Sequence, residues 1–250
     1  MWMDVVDLRD FYASGTGQMA RRMIRRRIRE LWPDTKGLNV MGLGFATPYL
    51  NPFRAEAQRV TAVMPAGQGV LHWPTEGRRL SCLADDALLP LPDLSMDRIV
   101  LVHALECSEQ VRPMMREVWR VLAGNGRLLV VVPNRRGLWA RFERTPLGFG
   151  RPYSNGQLTG LLRDCLFTPT RTDAALFAPP SRSRMIRSSS LAIENIGHRW
   201  FKGFAGVLMV EATKQLYGVN PEATASRSKS YLPLPQRNRP ASNPGVRRQR

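Results

Sequence analysis

The residues best suited to chemistry in this chain stand just beyond two long apolar runs. His103 and Glu106 follow the run Ile99–Val102, and Asn134 follows the run Leu128–Val132. The imidazole of histidine titrates near neutral pH, so His103 is a candidate proton acceptor. The alternative is structural, because a histidine here can be a satisfied core group and a glutamate can cap or pair with the next helix.

The elements around these residues indicate the type of fold. The segment between the two apolar runs, residues 112–122, has helical character and is followed by Gly124 and Gly126. Apolar strands separated by a helix are typical of a parallel sheet that is covered on both faces. Ligands of such sheets bind outside the carboxyl ends of the strands. We therefore predict an α/β fold, a doubly wound and mostly parallel sheet, with a ligand site near His103.

The same alternation of helices and strands extends along the chain. A helix is predicted from about residue 17 to Trp32, because apolar side chains recur there at three-to-four spacing. Strands are predicted at 38–43, 59–64, 80–83, 99–103, 127–132, 167–176 and 205–213, and later helices at 155–164 and 187–200. We expect an approach segment at 1–16, one domain at 17–218 and a basic, disordered tail at 219–250.

Positive charge is concentrated in two places. The formal net charge is +17, six arginines lie between Arg21 and Arg29, and Ser226–Arg250 holds seven basic residues and no acidic one. This balance favours contact with phosphate, either in nucleic acid or on an anionic membrane. The alternative is a surface that only keeps the protein in solution, since charge alone specifies no partner.

Other residue classes narrow the functional possibilities. The three cysteines are scattered and form neither a disulfide framework nor a metal-binding spacing, and His72, His103 and His198 lie far apart in the chain. We therefore expect no metal site.

No apolar run reaches the ~18 residues needed to cross a bilayer, and the segment after Met1 lacks the features of a secretory signal. The expected location is the cytoplasm.

Three motifs together resemble class I S-adenosylmethionine-dependent methyltransferases, and in particular the small-molecule-type domain common in bacteria. They are Leu-Pro-x-Pro-Asp-x-Ser-x-Asp at 89–97, Leu105-Glu106 after the fourth strand, and Arg-Glu-Val-x-Arg-Val-Leu-x-x-x-Gly-Arg-Leu at 116–128. The resemblance covers roughly residues 17–213. It implies a Rossmann-like sheet with an antiparallel last strand, and methyl transfer from S-adenosylmethionine to an acceptor that the sequence does not specify.

The resemblance also implies a set of cofactor-binding residues: Gly42, Leu43, Gly44, Met64, Asp85 and His103. In the family, the turn at 42–46 passes under the methionine part of the cofactor, and an acid near Asp85 accepts a hydrogen bond from the adenine amino group. A Gly-x-Gly pair also occurs in ordinary tight turns, and Asp85 is equally compatible with a solvent-facing loop. His103 is the candidate catalytic residue.

Two departures from the family pattern leave the activity open. Val40 stands where the first motif normally carries an acid, and the second strand ends at Pro65 with no carboxylate before Glu76 to hold the ribose. Hydrogen bonds to a charged group contribute about 1.5–3 kcal/mol each, so this loss corresponds to ~10- to 100-fold in affinity. The chain is therefore an active methyltransferase with an altered pocket, a non-catalytic binding or scaffold protein, or a basic binder of nucleic acid or anionic membrane.

A long loop after the fifth strand contains both arginine and aromatic side chains. Its candidate substrate or partner residues are Arg135, Trp139, Arg141, Arg144 and Tyr153. Such a mixture suits an anionic or planar ligand through charge pairing and stacking. It equally suits a structural lid that has its arginines on the rim and its aromatic side chains packed inward.

Overall fold

A seven-stranded mixed sheet flanked by helices forms the centre of the protein. The computed structural model describes residues 2–142, 144–181 and 183–215. The strand order is β3-β2-β1-β4-β5-β7-β6. The strands are β1 (Asn39–Gly44), β2 (Arg59–Pro65), β3 (Ser81–Ala84), β4 (Met96–Val102), β5 (Leu122–Pro133), β6 (Phe167–Ala175) and β7 (Val207–Lys214). The first five strands are parallel, and β7 runs antiparallel to both of its neighbours, which confirms the predicted fold class.

Helices cover both faces of this sheet. In the described part of the chain they are α1 (Val5–Ala13), α2 (Gly15–Leu31), α3 (Thr47–Leu50), α4 (Val111–Val121), α5 (Asn155–Asp164), α6 (Arg184–Ser188) and α7 (Ser190–Trp200). Helix α2 buries Met23, Ile24 and Ile28 on one face, as its sequence period predicts. It stops just before Pro33, because a proline disfavours helical geometry in the preceding residue.

The register brings the ends of the parallel strands to one edge of the sheet. Gly44 of β1 pairs with Val102 of β4, and Val102 pairs with Val131 of β5. On the other side, Pro65 of β2 pairs with Ala84 of β3. The residues that follow β1 to β5 therefore share this edge, which we call the carboxyl edge, and it is the place where ligands of such sheets bind.

Residues 2–16, which lie in the predicted approach segment, contain helix α1 and pack against the rest of the chain. Asp4 caps α1 by accepting the amide of Val6 through its side chain, and Val5, Leu8 and Tyr12 are buried in the core. The amide of Val5 donates to the carbonyl of Gln68, which lies just after β2. Helix α1 is therefore held against the carboxyl edge.

Two segments beyond β5 also begin or end at the carboxyl edge. The predicted helix at 187–200 is divided into α6 and α7, and the connection from β6 to β7 starts and ends beside the register pair Ala175–Val207. The loop after β5 is anchored by Asn134, whose side chain donates to the carbonyls of Gly203 and Ala205.

The basic tail lies outside the described residues. No helix in the described part of the chain is long and apolar enough to cross a membrane.

Candidate cofactor and active site

The glycines of the turn after β1 are required by the packing of the protein itself. Gly44 has a φ of 85°, a conformation that glycine adopts without steric cost. A Cβ atom at Gly44 would overlap the carbonyl oxygen of Val102, and one at Gly42 would lie 2.6 Å from the Cβ of Ala46. Both glycines thus allow close contact with β4 and α3, so their presence alone does not demonstrate a ligand.

The space over this turn is filled by side chains. Every residue from 41 to 47 is buried, and so are Met64, Gln68 and His103 around it. Tyr12 of α1 stacks on Phe45 with 5.6 Å between ring centroids. Trp2 lies directly against Gly67 in the turn after β2. In this arrangement residues 2–13 cover the turn and leave its residues out of contact with solvent.

A chain of buried polar groups lies under α1. The hydroxyl of Tyr49 donates to that of Tyr12 over 2.9 Å, and the Tyr12 hydroxyl lies 2.8 Å from Nε2 of His103. Because Tyr12 accepts from Tyr49, its own proton is directed to Nε2 of His103. Nδ1 faces Glu106, with 3.3 Å between Nδ1 and Oε1. Burial raises the pKa of both tyrosines, so both hydroxyls stay protonated.

His103 occupies an uncommon backbone conformation. Its φ is 51°, in the left-handed region that most residues with a side chain avoid. Such conformations persist only where the surroundings impose them, and they cluster at functional sites. The conformation turns the imidazole at the end of β4 towards α1.

Two buried side chains near His103 have oxygens without hydrogen-bond partners. Among the described residues, neither carboxylate oxygen of Glu106 is hydrogen-bonded, although the residue is only 2% exposed. The amide oxygen of Gln68 is also unpartnered, while its Nε2 donates to the carbonyl of His103 over 3.2 Å. An unsatisfied buried acceptor costs about 1–3 kcal/mol, and more when it is charged. Oε1 of Glu106 still lies 3.3 Å from Nδ1 of His103, so Oε2 of Glu106 and Oε1 of Gln68 are the two buried oxygens for which the described residues show no polar partner, and this points to a use for them.

A small cavity adjoins Glu106 at the carboxyl edge. It has a volume of about 290 Å³ and is lined by Glu106–Glu109 and Phe149–Arg151. The amide of Arg151 donates to the carbonyl of Glu106, which fixes the loop after β5 against the end of β4.

The structure brings most of the predicted cofactor residues together. Gly42, Leu43, Gly44, Met64 and His103 are all buried and lie in or just after the carboxyl-terminal halves of β1, β2 and β4. Asp85 lies apart from this group, exposed at the carboxyl edge, where its carboxylate accepts the amide of Ala87. Its geometry corresponds to the loop interpretation, and its role towards adenine stays a prediction.

Sequence reasoning missed three side chains of the site, namely Tyr12, Tyr49 and Gln68. Tyr12 and His103 are 91 residues apart, and no local pattern connects them. A signal for α1 was nevertheless present, because Asp4 is a suitable helix cap and Val5, Leu8 and Tyr12 recur at helical spacing.

The loop after β5 matches the structural-lid interpretation at Trp139 but not at Phe142, which is 45% exposed instead of packed inward. Trp139 is buried, and its Nε1 donates to the carbonyl of Ala178 over 2.8 Å. Tyr153 is half-buried, and burial raises the pKa of its hydroxyl. Arg135, Arg141 and Arg144 are exposed. The arginines are thus accessible to a partner, and their role in binding one stays a prediction.

Comparison with known proteins shows similarity to methyltransferases. Residues 38–130, which include β1, β4 and most of β5, match the family model of the methyltransferase domain. The chain is 25% identical over 184 residues to the demethylmenaquinone methyltransferase of Thermus thermophilus, with 72% of each chain covered. These similarities support the resemblance to class I S-adenosylmethionine-dependent methyltransferases that the sequence motifs indicate.

Solved structures of methyltransferases share the fold. A methyltransferase from Thermotoga maritima, described as a possible histamine N-methyltransferase, superimposes with a TM-score of 0.62 at 18% identity, covering 84% of this chain and 96% of the other. A second is the 1,6-didemethyltoxoflavin-N1-methyltransferase of Burkholderia thailandensis, solved with S-adenosylhomocysteine bound. Its TM-score is 0.53 at 15% identity, with 83% and 82% of the two chains covered. These similarities support S-adenosylmethionine as the cofactor, as the sequence predicted.

The chemistry of the buried residues fits this cofactor, whereas the space over the turn is taken by the chain itself. S-adenosylmethionine carries positive charge on its ammonium and sulfonium groups, and the unpartnered oxygens of Glu106 and Gln68 are acceptors suited to a cation. Tyr12 and Phe45 fill the space above the glycine turn. A cofactor bound directly over this turn would have to displace Tyr12 from Phe45.

Proposed function

We propose that the protein is an S-adenosylmethionine-dependent methyltransferase whose N-terminal segment, residues 2–13, covers the cofactor site. The observation that supports this most directly is the set of buried, unpartnered oxygens of Glu106 and Gln68 beneath α1. These acceptors are unsatisfied in the closed arrangement. A cationic ligand in the place of α1 would satisfy them.

The attachment of α1 is compatible with such movement. The helix is nine residues long and is joined to α2 through the single residue Ser14. Ser14 is extended, with φ of −68° and ψ of 158°, and separates the two helices. Few loop or terminal residues are enough to absorb the backbone change of a hinge. Because only part of the population is open, the apparent affinity for the cofactor falls in proportion to the open fraction.

His103 has the position and hydrogen bonding of a proton acceptor. The cofactor supplies a methyl carbon with a sulfonium leaving group when it is bound. Methyl transfer requires mainly the alignment of the methyl acceptor, which binding at the carboxyl edge can provide. Displacement of Tyr12 frees Nε2 of His103, which then takes the proton that the methyl acceptor loses. Glu106, facing Nδ1, stabilises the resulting imidazolium.

Two observations favour a second candidate, a non-catalytic binding protein that has kept the methyltransferase fold. The hollow over Gly42–Ala46 is filled by side chains, and β2 ends at Pro65 without the acid that holds the ribose in the family. Under this alternative, α1 is a permanent part of the core and the domain binds another molecule through its surface.

Calorimetric titration of the full chain with S-adenosylhomocysteine separates the two candidates. The informative variant is Tyr12→Phe, because it keeps the ring on Phe45 but removes both hydroxyl contacts and so weakens the closed state. An interaction of about 1–2 kcal/mol corresponds to roughly 5- to 30-fold tighter ligand binding in the variant.

The matched control is Val6→Ala, which alters the exposed face of the same helix. It should bind S-adenosylhomocysteine as the wild type does. If neither the wild type nor Tyr12→Phe binds at millimolar ligand while both remain folded, the enzymatic proposal fails and the non-catalytic candidate stands.

A further inference from the structure

An apolar patch lies on helix α7 and the residues that follow it. The side chains that compose the apolar patch are Leu138, Phe177, Ile193, Ile196, Trp200, Phe201 and Phe204. Trp200 is 71% exposed, Phe204 is 66% exposed and Ile196 is 58% exposed. All of these residues except Trp200, together with Gly197, enclose a groove of about 340 Å³. Clustered exposure of large apolar side chains marks an interaction surface, whereas scattered single residues do not.

The exposed face of α7 carries no acidic side chain. The acid on this helix, Glu194, is buried, and its two oxygens accept the amides of Leu176 and Phe177. Near the end of the helix, His198 pairs with Asp173 over 2.8 Å. The outward face of α7 therefore adds no negative charge to the apolar patch and does not repel an anion.

Arginines border the apolar patch. Arg199 lies over the ring of Trp200, with 5.7 Å between its Cζ and the ring centroid. Nη1 of Arg26 lies 3.4 Å from Oδ1 of Asn195, which places the exposed arginines of α2 beside α7.

The charge of this border is not fully neutralised within the protein. Glu30 pairs with Arg26 and with Arg27. Arg22 and Arg25 are exposed on the same helix as Arg26.

We propose that the apolar patch and the exposed arginines of α2 dock the protein on the surface of an anionic phospholipid bilayer. A helix with a wide apolar face and cationic flanks lies in the plane of a membrane interface, with its apolar side chains among the acyl chains. Tryptophan prefers this depth because it is both apolar and polar, and arginine reaches the phosphates through its long side chain. The arginines supply charge complementarity to anionic lipid, at about 1 kcal/mol per basic residue near such a surface.

A nucleic-acid surface accounts for less of the arrangement. Phosphate contacts explain the arginines but not Ile196, Phe201 and Phe204, which carry no group that recognises a phosphate or a base edge. A bilayer satisfies the apolar and the charged parts of the surface together.

Docking would bring the carboxyl edge of the sheet close to lipid. Helices α6 and α7 belong to the connection that leaves β6 at Ala175 and enters β7 at Val207, and both of these residues lie at the carboxyl edge. The docking surface is independent of the proposed methyl transfer, since it rests on exposure and charge alone.

Vesicle co-sedimentation of the full chain tests the proposal. We expect binding to vesicles of phosphatidylcholine with about 30% phosphatidylglycerol, weaker binding to phosphatidylcholine alone, and a decrease as salt rises and screens the arginines. The double variant Trp200→Gln/Phe204→Gln should lower partitioning at least ~10-fold. The matched control Leu88→Gln, at a residue 72% exposed in the β3–β4 connection, should leave it unchanged.

Tryptophan fluorescence reports insertion directly. Of the six tryptophans, all of which lie in the described part of the chain, Trp200 is the exposed one. Phosphatidylglycerol brominated on its acyl chains should therefore quench the wild type, and the quenching should be lost in Trp200→Gln.

Four outcomes would overturn the proposal. They are absence of vesicle binding at low salt, binding that the double variant leaves intact, retention on RNA or DNA that exceeds vesicle binding and ignores the double variant, and a dimer that the double variant converts to monomer without any vesicle binding.

Discussion

The hydroxyl of Tyr12 lies 2.8 Å from Nε2 of His103 and connects the first helix of the chain to the end of β4. Both residues are buried, and Tyr49 extends the connection to α3. Through this contact the N-terminal segment is held over the turn on which the family binds its cofactor. Closure of the site thus depends on a few named side chains, so it can be tested by substitution.

Removing the Tyr12 hydroxyl should lower stability and loosen α1 selectively. Tyr12→Phe leaves Nε2 of His103 without its partner in a buried place, for which we expect a loss of about 1–3 kcal/mol. Urea unfolding measures the free energy, and hydrogen exchange should show faster exchange in residues 5–13 with little change in β4. Uniformly faster exchange throughout the sheet would contradict a local closure by α1.

Much of the fold could be predicted from the sequence, because its strands are buried on both faces. Apolar runs such as Ile99–Val102 and Leu128–Val132 mark central strands without help from the rest of the chain. The closure of the site could not be predicted in the same way. It depends on Tyr12 meeting His103 across 91 residues, and only tertiary packing brings them together. The loop after β5 could be predicted in part, because its composition is compatible with both a structural lid and a binding loop.

The exposed arginines of that loop should be dispensable for folding. Arg141→Ala/Arg144→Ala removes two exposed charges, and we expect the melting temperature to change by no more than ~2 °C, because exposed charges contribute little to stability. Binding of an anionic or planar ligand, the class that this loop suits, should weaken. Trp139→Ala is the contrasting variant, because Trp139 is buried and hydrogen-bonded to Ala178. It should cost about 3–5 kcal/mol. If Trp139→Ala melted at the same temperature as Arg141→Ala/Arg144→Ala, a structural role of Trp139 would be excluded.

Glu211 should stabilise the sheet chiefly as a hydrogen-bond acceptor. It is fully buried on β7, accepts Nε1 of Trp32 over 2.9 Å and lies 3.3 Å from Nη1 of Arg127. Glu211→Leu leaves the buried N–H of Trp32 unpartnered, for a loss of about 1–3 kcal/mol. Glu211→Gln keeps an acceptor for Trp32 and should lose less. The comparison is made by chemical unfolding, and an equal loss in the two variants would assign the effect to charge.

Acid should destabilise the protein partly through Glu117. Hydrogen bonds from Arg120 hold the pKa of this carboxyl below its ordinary value of 4.5. A group whose folded pKa is lowered contributes stability above its unfolded pKa and loses it as the pH falls through the folded value. The melting temperature of the wild type should therefore decline below a pH of about 4.5. Glu117→Gln should start lower at neutral pH and decline less. Parallel pH profiles for the two proteins would rule out this contribution.

Gly44→Ala tests whether the glycine turn serves packing or a ligand. Gly44 and Gly37 both have positive φ, of 85° and 73°, so alanine is strained by about 1–2 kcal/mol at either position. They differ in their surroundings. A Cβ at Gly37 meets nothing within 4 Å, whereas one at Gly44 overlaps the carbonyl of Val102. Gly37→Ala should therefore cost only the backbone strain, and Gly44→Ala should cost more even without ligand, since the overlap forces β1 away from β4. Equal losses of stability would show that there is room at Gly44, and the glycine would then have to be explained by what binds there.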